Sequence, residues 1–320
     1  MAADPHRQGA LQGRHVTVVG GGVIGASWAS LFLANGMRVT VNDPDPGIAG
    51  KVAAYIDGAA PALRALGYPE VDAANLAFEA DLARAVAGAD YIQECGPEKM
   101  GFKHEVWKQV EQAAPQAALL LSSSSGIPAS EQSKLMRQPG RLVIGHPFNP
   151  PHLMPLVEVV PSGQTPSTLT ARALEFYAAL GKVPVEIKKE SAGFVVNRLQ
   201  TALFRECVSL VEQGVVSAGD ADKLVVNSVG LRWATGGPFF SFHLGGGQGG
   251  FKHFIEHLGP AIEYWWKDMS AHPVALDEDT RALLIEQVQH AYGDVPVDEL
   301  GAERDDKQVA VLQALARRRG

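Results

Sequence analysis

The sequence predicts an α/β protein in two parts, a doubly wound and mainly parallel sheet followed by an all-helical C-terminal domain. Three observations carry that expectation. Short apolar runs alternate with helical stretches through the first half of the chain. The first of those runs breaks at a glycine cluster that opens a helix. Near Lys188 the strand-like runs cease, and from Gly193 onward helical periodicity takes over.

Taken in order, His15–Val19 is a short apolar strand that breaks at Gly20-Gly21-Gly22, and Val23–Ala34 then follows helical spacing. Asn35-Gly36 stops that helix, and Arg38–Asn42 reads as a second strand ending at Asp43. Asp90–Gln93, Ala118–Leu121, Arg141–Ile144 and Leu156–Val160 are further strands, with helices at Phe102–Ala114 and Ser167–Leu180. Beyond Gly193, Phe194, Leu199, Leu203, Val208 and Val211 recur at helical spacing, and Asp277–Arg319 reads as charged and helical. The expected division is a flexible extension over residues 1–14, a dinucleotide-binding domain over 15–190 and a helical domain over 191–320.

Composition narrows the function. The 320 residues are 46% hydrophobic and 20% charged, which suits an ordinary buried core. A formal charge of −7 argues against a general nucleic-acid binder, because phosphate backbones are held by clustered lysine and arginine. No apolar run approaches the ~18 residues of a membrane span, and the polar N-terminus resembles no signal peptide. Two cysteines, Cys95 and Cys207, in no metal-like spacing suggest a reducing, cytoplasmic setting. The stretch His253-Phe254-Ile255-Glu256-His257 fits a zinc-protease pattern, but no third ligand is evident nearby, so no metal is expected.

Gly20, Gly22 and Gly25 occupy the three glycine positions of G-x-G-x-x-G, with Val23 and Ile24 between the last two. Such glycines give a tight turn, a close backbone approach to pyrophosphate and close helix–strand packing. The helix N-terminus then meets the phosphates with free N–H groups and a favourable dipole. Asp43, at the end of the next strand, is placed to accept hydrogen bonds from the adenosine ribose. Negative charge in Asp43-Pro44-Asp45-Pro46, without an arginine, favours NAD over NADP. The sheet domain is therefore expected to be Rossmann-like.

His146 follows a strand in Gly-His-Pro-Phe-Asn-Pro, and Glu158 lies inside the apolar Leu156–Val160. A carboxylate within an apolar strand needs a partner, because burying it unpaired costs several kcal/mol. A His–Glu pair meets that need and makes a general base. The residues alone also allow a plain loop histidine and a Glu158–lysine pair.

Several motifs stand in a telling order: Ser122-Ser123-Ser124-Ser125-Gly126, the His146 loop, Pro155–Val160, Gly193–Leu199 and Gly237-Pro238-Phe239. In this the chain resembles the L-3-hydroxyacyl-CoA dehydrogenase superfamily from about His15 to Gly259. The resemblance implies NAD-dependent oxidation of a 3-hydroxyl, with His146 as general base and Glu158 as its carboxylate. Ser125 and Asn197 match polar groups that contact the reacting oxygen or the histidine, and Asn149 matches the asparagine of the histidine loop. Glu98 and Lys103 match positions near the nicotinamide half of the cofactor. A homodimer built through the helical domain is also implied.

Two departures within the superfamily point to the substrate. Where acyl-CoA enzymes carry a lysine-rich helical insertion, Lys51–Asp81 here is short, Ala-rich and poor in basic residues. Arg232 precedes Gly237-Pro238-Phe239, where that branch has an uncharged residue, and its guanidinium suits a free carboxylate. Both departures resemble the lambda-crystallin (L-gulonate 3-dehydrogenase) and L-carnitine dehydrogenase branch. The expected substrate is a small L-3-hydroxy acid. The alternatives are a short 3-hydroxyacyl-CoA thioester and a non-catalytic, crystallin-like structural protein.

Overall fold

The first three-fifths of the chain build one eight-stranded sheet. The computed structural model describes residues Gly9–Arg317. In chain order the elements are β1 (His15–Val19), α1 (Val23–Ala34), β2 (Arg38–Asn42), α2 (Ile48–Ala65), β3 (Leu76–Phe78), α3 (Leu82–Val86) and β4 (Tyr91–Glu94). Next come α4 (Met100–Ala113), β5 (Leu119–Ser122), α5 (Ala129–Gln132), β6 (Leu142–Pro147), β7 (Leu156–Pro161), α6 (Ser167–Ala179) and β8 (Val183–Glu186). Helices alone follow: α7 (Val196–Glu212), α8 (Ala218–Val225), α9 (Leu231–Thr235), α10 (Pro238–Gly245), α11 (Gly250–Ala271), α12 (Glu278–Tyr292) and α13 (Val297–Ala316).

The strand order is β3-β2-β1-β4-β5-β6-β7-β8, with every neighbouring pair parallel except β6 and β7. The chain runs outward from β1 to β3 and returns to β4 on the other side of β1. That reversal opens a crevice at the carboxyl ends of β1 and β4, where such sheets take their ligands. The strands and helices expected over the sheet domain are present within one or two residues, save that β6 runs on to Pro147. Two short edge strands, β3 and β8, and the long helix α2 were not foreseen.

Helix α1 is the hub of the core. Every residue from Gly25 to Ala34 is buried, so the helix is enclosed on all sides rather than amphipathic. Trp28 stacks on Phe32 at 5.3 Å and lies 5.6 Å from the Tyr177 ring of α6. Its indole Nε1 donates to Ser123 Oγ at 3.2 Å. Helix α2 buries Val52, Ile56, Ala59 and Leu63, one face at helical spacing, within the same core.

The described residues form two compact units, one running through Asn197 and joined by Ala302 onward, the other Arg198–Gly301. The tail thus packs where the sequence reading did not assign it. Val309 is buried with Leu66 and Leu153, and Gln313 donates to the Ala65 carbonyl at 2.7 Å. Part of the expected N-terminal extension, residues 1–8, lies outside the described residues. Gly9–Arg14 is folded rather than frayed: Leu11 is buried and the Gly13 amide donates to the Gly36 carbonyl at 2.9 Å.

The Trp28→Ala variant should lose about 3–5 kcal/mol of unfolding free energy, because the cavity opens at the centre of α1. Denaturant titration followed by circular dichroism measures that loss.

Candidate active site

The glycine turn after β1 is dictated by contacts no side chain would permit. Gly20 has φ +100°, and a Cβ there would sit 2.8 Å from the Cys95 backbone at the end of β4. A Cβ on Gly25 would lie 1.9 Å from the Gly20 carbonyl oxygen. Around Gly22, at the N-cap of α1, the space is open, so a pyrophosphate can approach the backbone there. Val23 is exposed and Ile24 half-buried in the first turn. The half-buried Asp43 accepts from the Gly21 amide at 2.8 Å and from the Asp45 amide at 2.9 Å. It braces the glycine turn, and a carboxylate still has lone pairs left for ribose hydroxyls. These features fit a dinucleotide.

Antiparallel pairing sets His146 on β6 directly opposite Glu158 on β7. His146 Nδ1 lies 2.8 Å from Glu158 Oε2, and both residues are buried. The other carboxylate oxygen, Oε1, accepts from the Val195 and Val196 amides at 3.0 Å each, at the start of α7. As an acceptor that takes N–H donors on both oxygens, Glu158 requires the histidine proton on Nδ1 and leaves Nε2 free to take one. Burial pushes the Glu158 carboxyl upward. Hydrogen bonds from His146, Val196 and Val195 outweigh that and hold it below the usual glutamate range. The imidazole packs 4.8 Å from the Phe148 ring and 5.6 Å from the Phe194 ring.

Phe194 has φ +50°, a left-handed conformation uncommon for a side-chain-bearing residue. Together with Gly193 at φ +70° it turns the chain so that two successive amides face Glu158. The sequence reading singled out this motif for Asn197 and missed its amides. The glycine immediately before an apolar residue was the available signal.

Asn197 Nδ2 donates to the Ser125 carbonyl at 2.8 Å, which brings the serine run to the start of α7. Ser125 itself is exposed. Its amide and that of Gly126 donate to Glu98 Oε1 at 3.1 and 3.2 Å, and the Ser124 hydroxyl donates to the same oxygen. Lys103 is fully buried, with Nζ donating to both oxygens of Glu94 at 2.8 Å and lying 3.4 Å from Glu98 Oε2. It therefore supports the loop after β4 from beneath, and Glu98 is the nearer of the two to solvent. Burial raises the Glu94 carboxyl above its ordinary value despite Lys103. Asn149 is exposed in the turn after β6, before a cis peptide to Pro150. Arg232 is exposed on α9, in the second unit, after a π-helical turn over Val226–Gly230. Among the described residues no cluster of three metal-ligating side chains occurs.

The family model for the 3-hydroxyacyl-CoA dehydrogenase NAD-binding domain matches residues 15–191, and that for the C-terminal domain matches residues 193–276. A protein named 3-hydroxyacyl-CoA dehydrogenase from Gibberella moniliformis is 42% identical over 95% of this chain and 94% of its own. One named L-carnitine dehydrogenase from Streptomyces coelicolor is 38% identical over 95% of each chain. Among solved structures, a 5-formyl-3-hydroxy-2-methylpyridine 4-carboxylic acid 5-dehydrogenase, described as an NAD+-dependent dismutase, superposes with a TM-score of 0.76. It is 27% identical and is covered over 99% of its length, against 95% of this chain.

Replacing Glu158 by Gln should lower stability by about 1–3 kcal/mol at neutral pH, because a buried carboxylate that accepts three hydrogen bonds gives way to an amide whose NH2 must face one of those donors. Since folding lowers the Glu158 pKa, the stabilisation is complete above the ordinary glutamate value and fades as pH falls through the lowered one. Melting curves of parent and variant should therefore converge in acid, and a constant gap would count against the pairing.

Proposed function

The chain belongs to the 3-hydroxyacyl-CoA dehydrogenase family and is an NAD-dependent oxidoreductase, and from that premise we propose that it oxidises the 3-hydroxyl of a small L-3-hydroxy acid to the 3-oxo acid. The observation that carries the reading is the His146–Glu158 bond of 2.8 Å, with the other carboxylate oxygen saturated by two amides. His146 Nε2 takes the hydroxyl proton as the C3–O bond becomes a carbonyl. Glu158 steadies the imidazolium so formed. Gly20, Gly22, Val23, Ile24, Gly25 and Asp43 would hold NAD, which would supply the acceptor for the hydride that leaves C3. Ser125 and Asn197 contact the reacting oxygen or the histidine, Asn149 lines the substrate side of the turn, and Glu98, with Lys103 beneath it, borders the nicotinamide.

The free acid is favoured by charge. Helix α2 carries only Lys51 and Arg64, and Lys51 is tied to Asp45 at 2.6 Å, which leaves little for the phosphates of CoA. Arg232 then serves as the carboxylate clamp. The relatives named L-carnitine dehydrogenase support the same class. The thioester reading draws on the 42%-identical relative named 3-hydroxyacyl-CoA dehydrogenase. A lambda-crystallin-like, purely structural role does not explain why a buried His–Glu pair and a dinucleotide turn are carried by one sheet.

The helical unit supplies the grounds for a homodimer. Phe239, Tyr264, Trp265 and Trp266 are all more than half exposed, the apolar surface expected of a face covered by a second copy. The free thiols of Cys95 and Cys207 suit the cytoplasm. Among the described residues no helix is long and apolar enough to cross a membrane.

NADH formation measured with L-carnitine, L-gulonate, L-3-hydroxybutyrate and L-3-hydroxybutyryl-CoA tests the reading. A free acid should be preferred, and His146→Gln should cut kcat by at least about 100-fold while leaving NADH binding intact. Arg232→Ala should lower kcat/KM for the acid about 10–100-fold. Preference for the thioester would return the substrate to the acyl-CoA class.

A further inference from the structure

The turn from Phe148 to Pro155 joins the His146 strand to the Glu158 strand, and it is held from several sides. His152 meets α1 twice, its amide donating to Ser27 Oγ at 2.9 Å and its Nδ1 lying 2.9 Å from the same oxygen. Burial, and after it the nearby Lys182, hold the His152 imidazole down to about 4, so it is neutral. Leu153 is buried with Val309 of α13. The remaining hold comes from Lys182, the residue before β8. Its Nζ donates to the Met154 carbonyl at 3.0 Å and to the Pro151 carbonyl, while the Val183 amide donates to the Pro155 carbonyl at 2.8 Å.

Lys182 is buried, and its ammonium lies 5.7 Å from the centre of the Trp28 ring. Enclosing an ammonium is costly unless its donors are taken. Here two carbonyls and an indole face take them. Methionine would fill much the same space without that cost, so what the amine adds is directional: it grips a carbonyl at two points of one turn. Burial pushes Lys182 down to about 7, and a neutral amine still has two N–H donors for the two carbonyls. The grip therefore persists on either side of that pH.

We propose that Lys182 is a positioning residue for His146: by gripping the Pro151 and Met154 carbonyls it holds the turn whose Phe148 braces the imidazole, and so sets the reach of Nε2 toward the substrate hydroxyl. The proposal rests on His146 as the base. The chain from cause to effect is short. Phe148 begins the turn and packs on the imidazole at 4.8 Å, and the gripped carbonyls follow three and six residues later. A misplacement of about 1 Å at a reacting group costs about 100-fold in rate.

Two variants test this, Lys182→Met, which keeps the stem and removes the donors, and Lys182→Gln, which keeps two donors on a shorter stem. Each is assayed with the preferred hydroxy acid, alone and combined with His146→Gln, and NADH affinity is read from protein fluorescence. Lys182→Met should lose at least about tenfold in kcat, with KM and NADH affinity within about threefold, and Lys182→Gln should recover part of the loss. In the His146→Gln background the same change should cost less than about twofold, because the two residues act as a unit. Unchanged kcat, a loss confined to KM or NADH affinity, or an equal loss in the His146→Gln background would overturn the proposal. Failure of both variants to fold would overturn it too, in favour of a structural role. Near-normal turnover of His146→Gln alone strikes the base assignment instead.

Discussion

One buried carboxylate organises the site. Glu158 sits in an apolar strand where an unpartnered charge would cost several kcal/mol, so the fold must deliver donors to it. It receives three, one from the His146 imidazole and two from the amides of Val195 and Val196. The bonds that make the carboxylate tolerable in the interior also orient the imidazole. In the proposed reaction, structure and chemistry would thus draw on the same contacts. The left-handed Phe194 follows from this need, since without that turn the two amides would not face one oxygen. The strain is offset by a charge that would otherwise be stranded.

A second carboxylate does parallel service across the crevice. Glu98 gathers the Ser124 hydroxyl and the Ser125 and Gly126 amides, tying the loop after β4 to the loop after β5. Beneath it the Lys103–Glu94 pair fills space that a loop alone would leave soft. From His146 through Glu158, the start of α7, Asn197 and Ser125 to Glu98, neighbouring groups are linked by hydrogen bonds or adjacent in the chain. Moving one member disturbs the next.

Much of this was legible in the sequence where local chemistry decides the outcome. β1, α1 and β2 could be bounded because a glycine turn and an Asn-Gly stop are written beside an apolar period. Glu158 announced itself as a charge in an apolar strand, and its partner lay one hairpin away. The illegible parts depend on distant contacts. β8 alternates a proline and a glutamate with valines and gains its strand character only by pairing with β7. Nothing beside Lys182 in the sequence marks it as interior, and Lys103, placed near the nicotinamide by resemblance, is likewise interior only through the surrounding fold. The return of the tail to the first unit hangs on Val309, whose partners lie more than 150 residues earlier.

The enclosure of α1 has a consequence for how a dinucleotide is received. A helix with one face in water can tilt or slide to meet its ligand, but this one is sealed against the sheet, α2 and α6 for most of its length. Its leading N–H groups are therefore aimed before any ligand arrives, and the ordering entropy has already been spent in folding. The adenosine half should dock as onto a fixed template, with oxidised and reduced cofactor received alike. Whatever distinguishes the two redox states must then arise at the nicotinamide end, away from this helix.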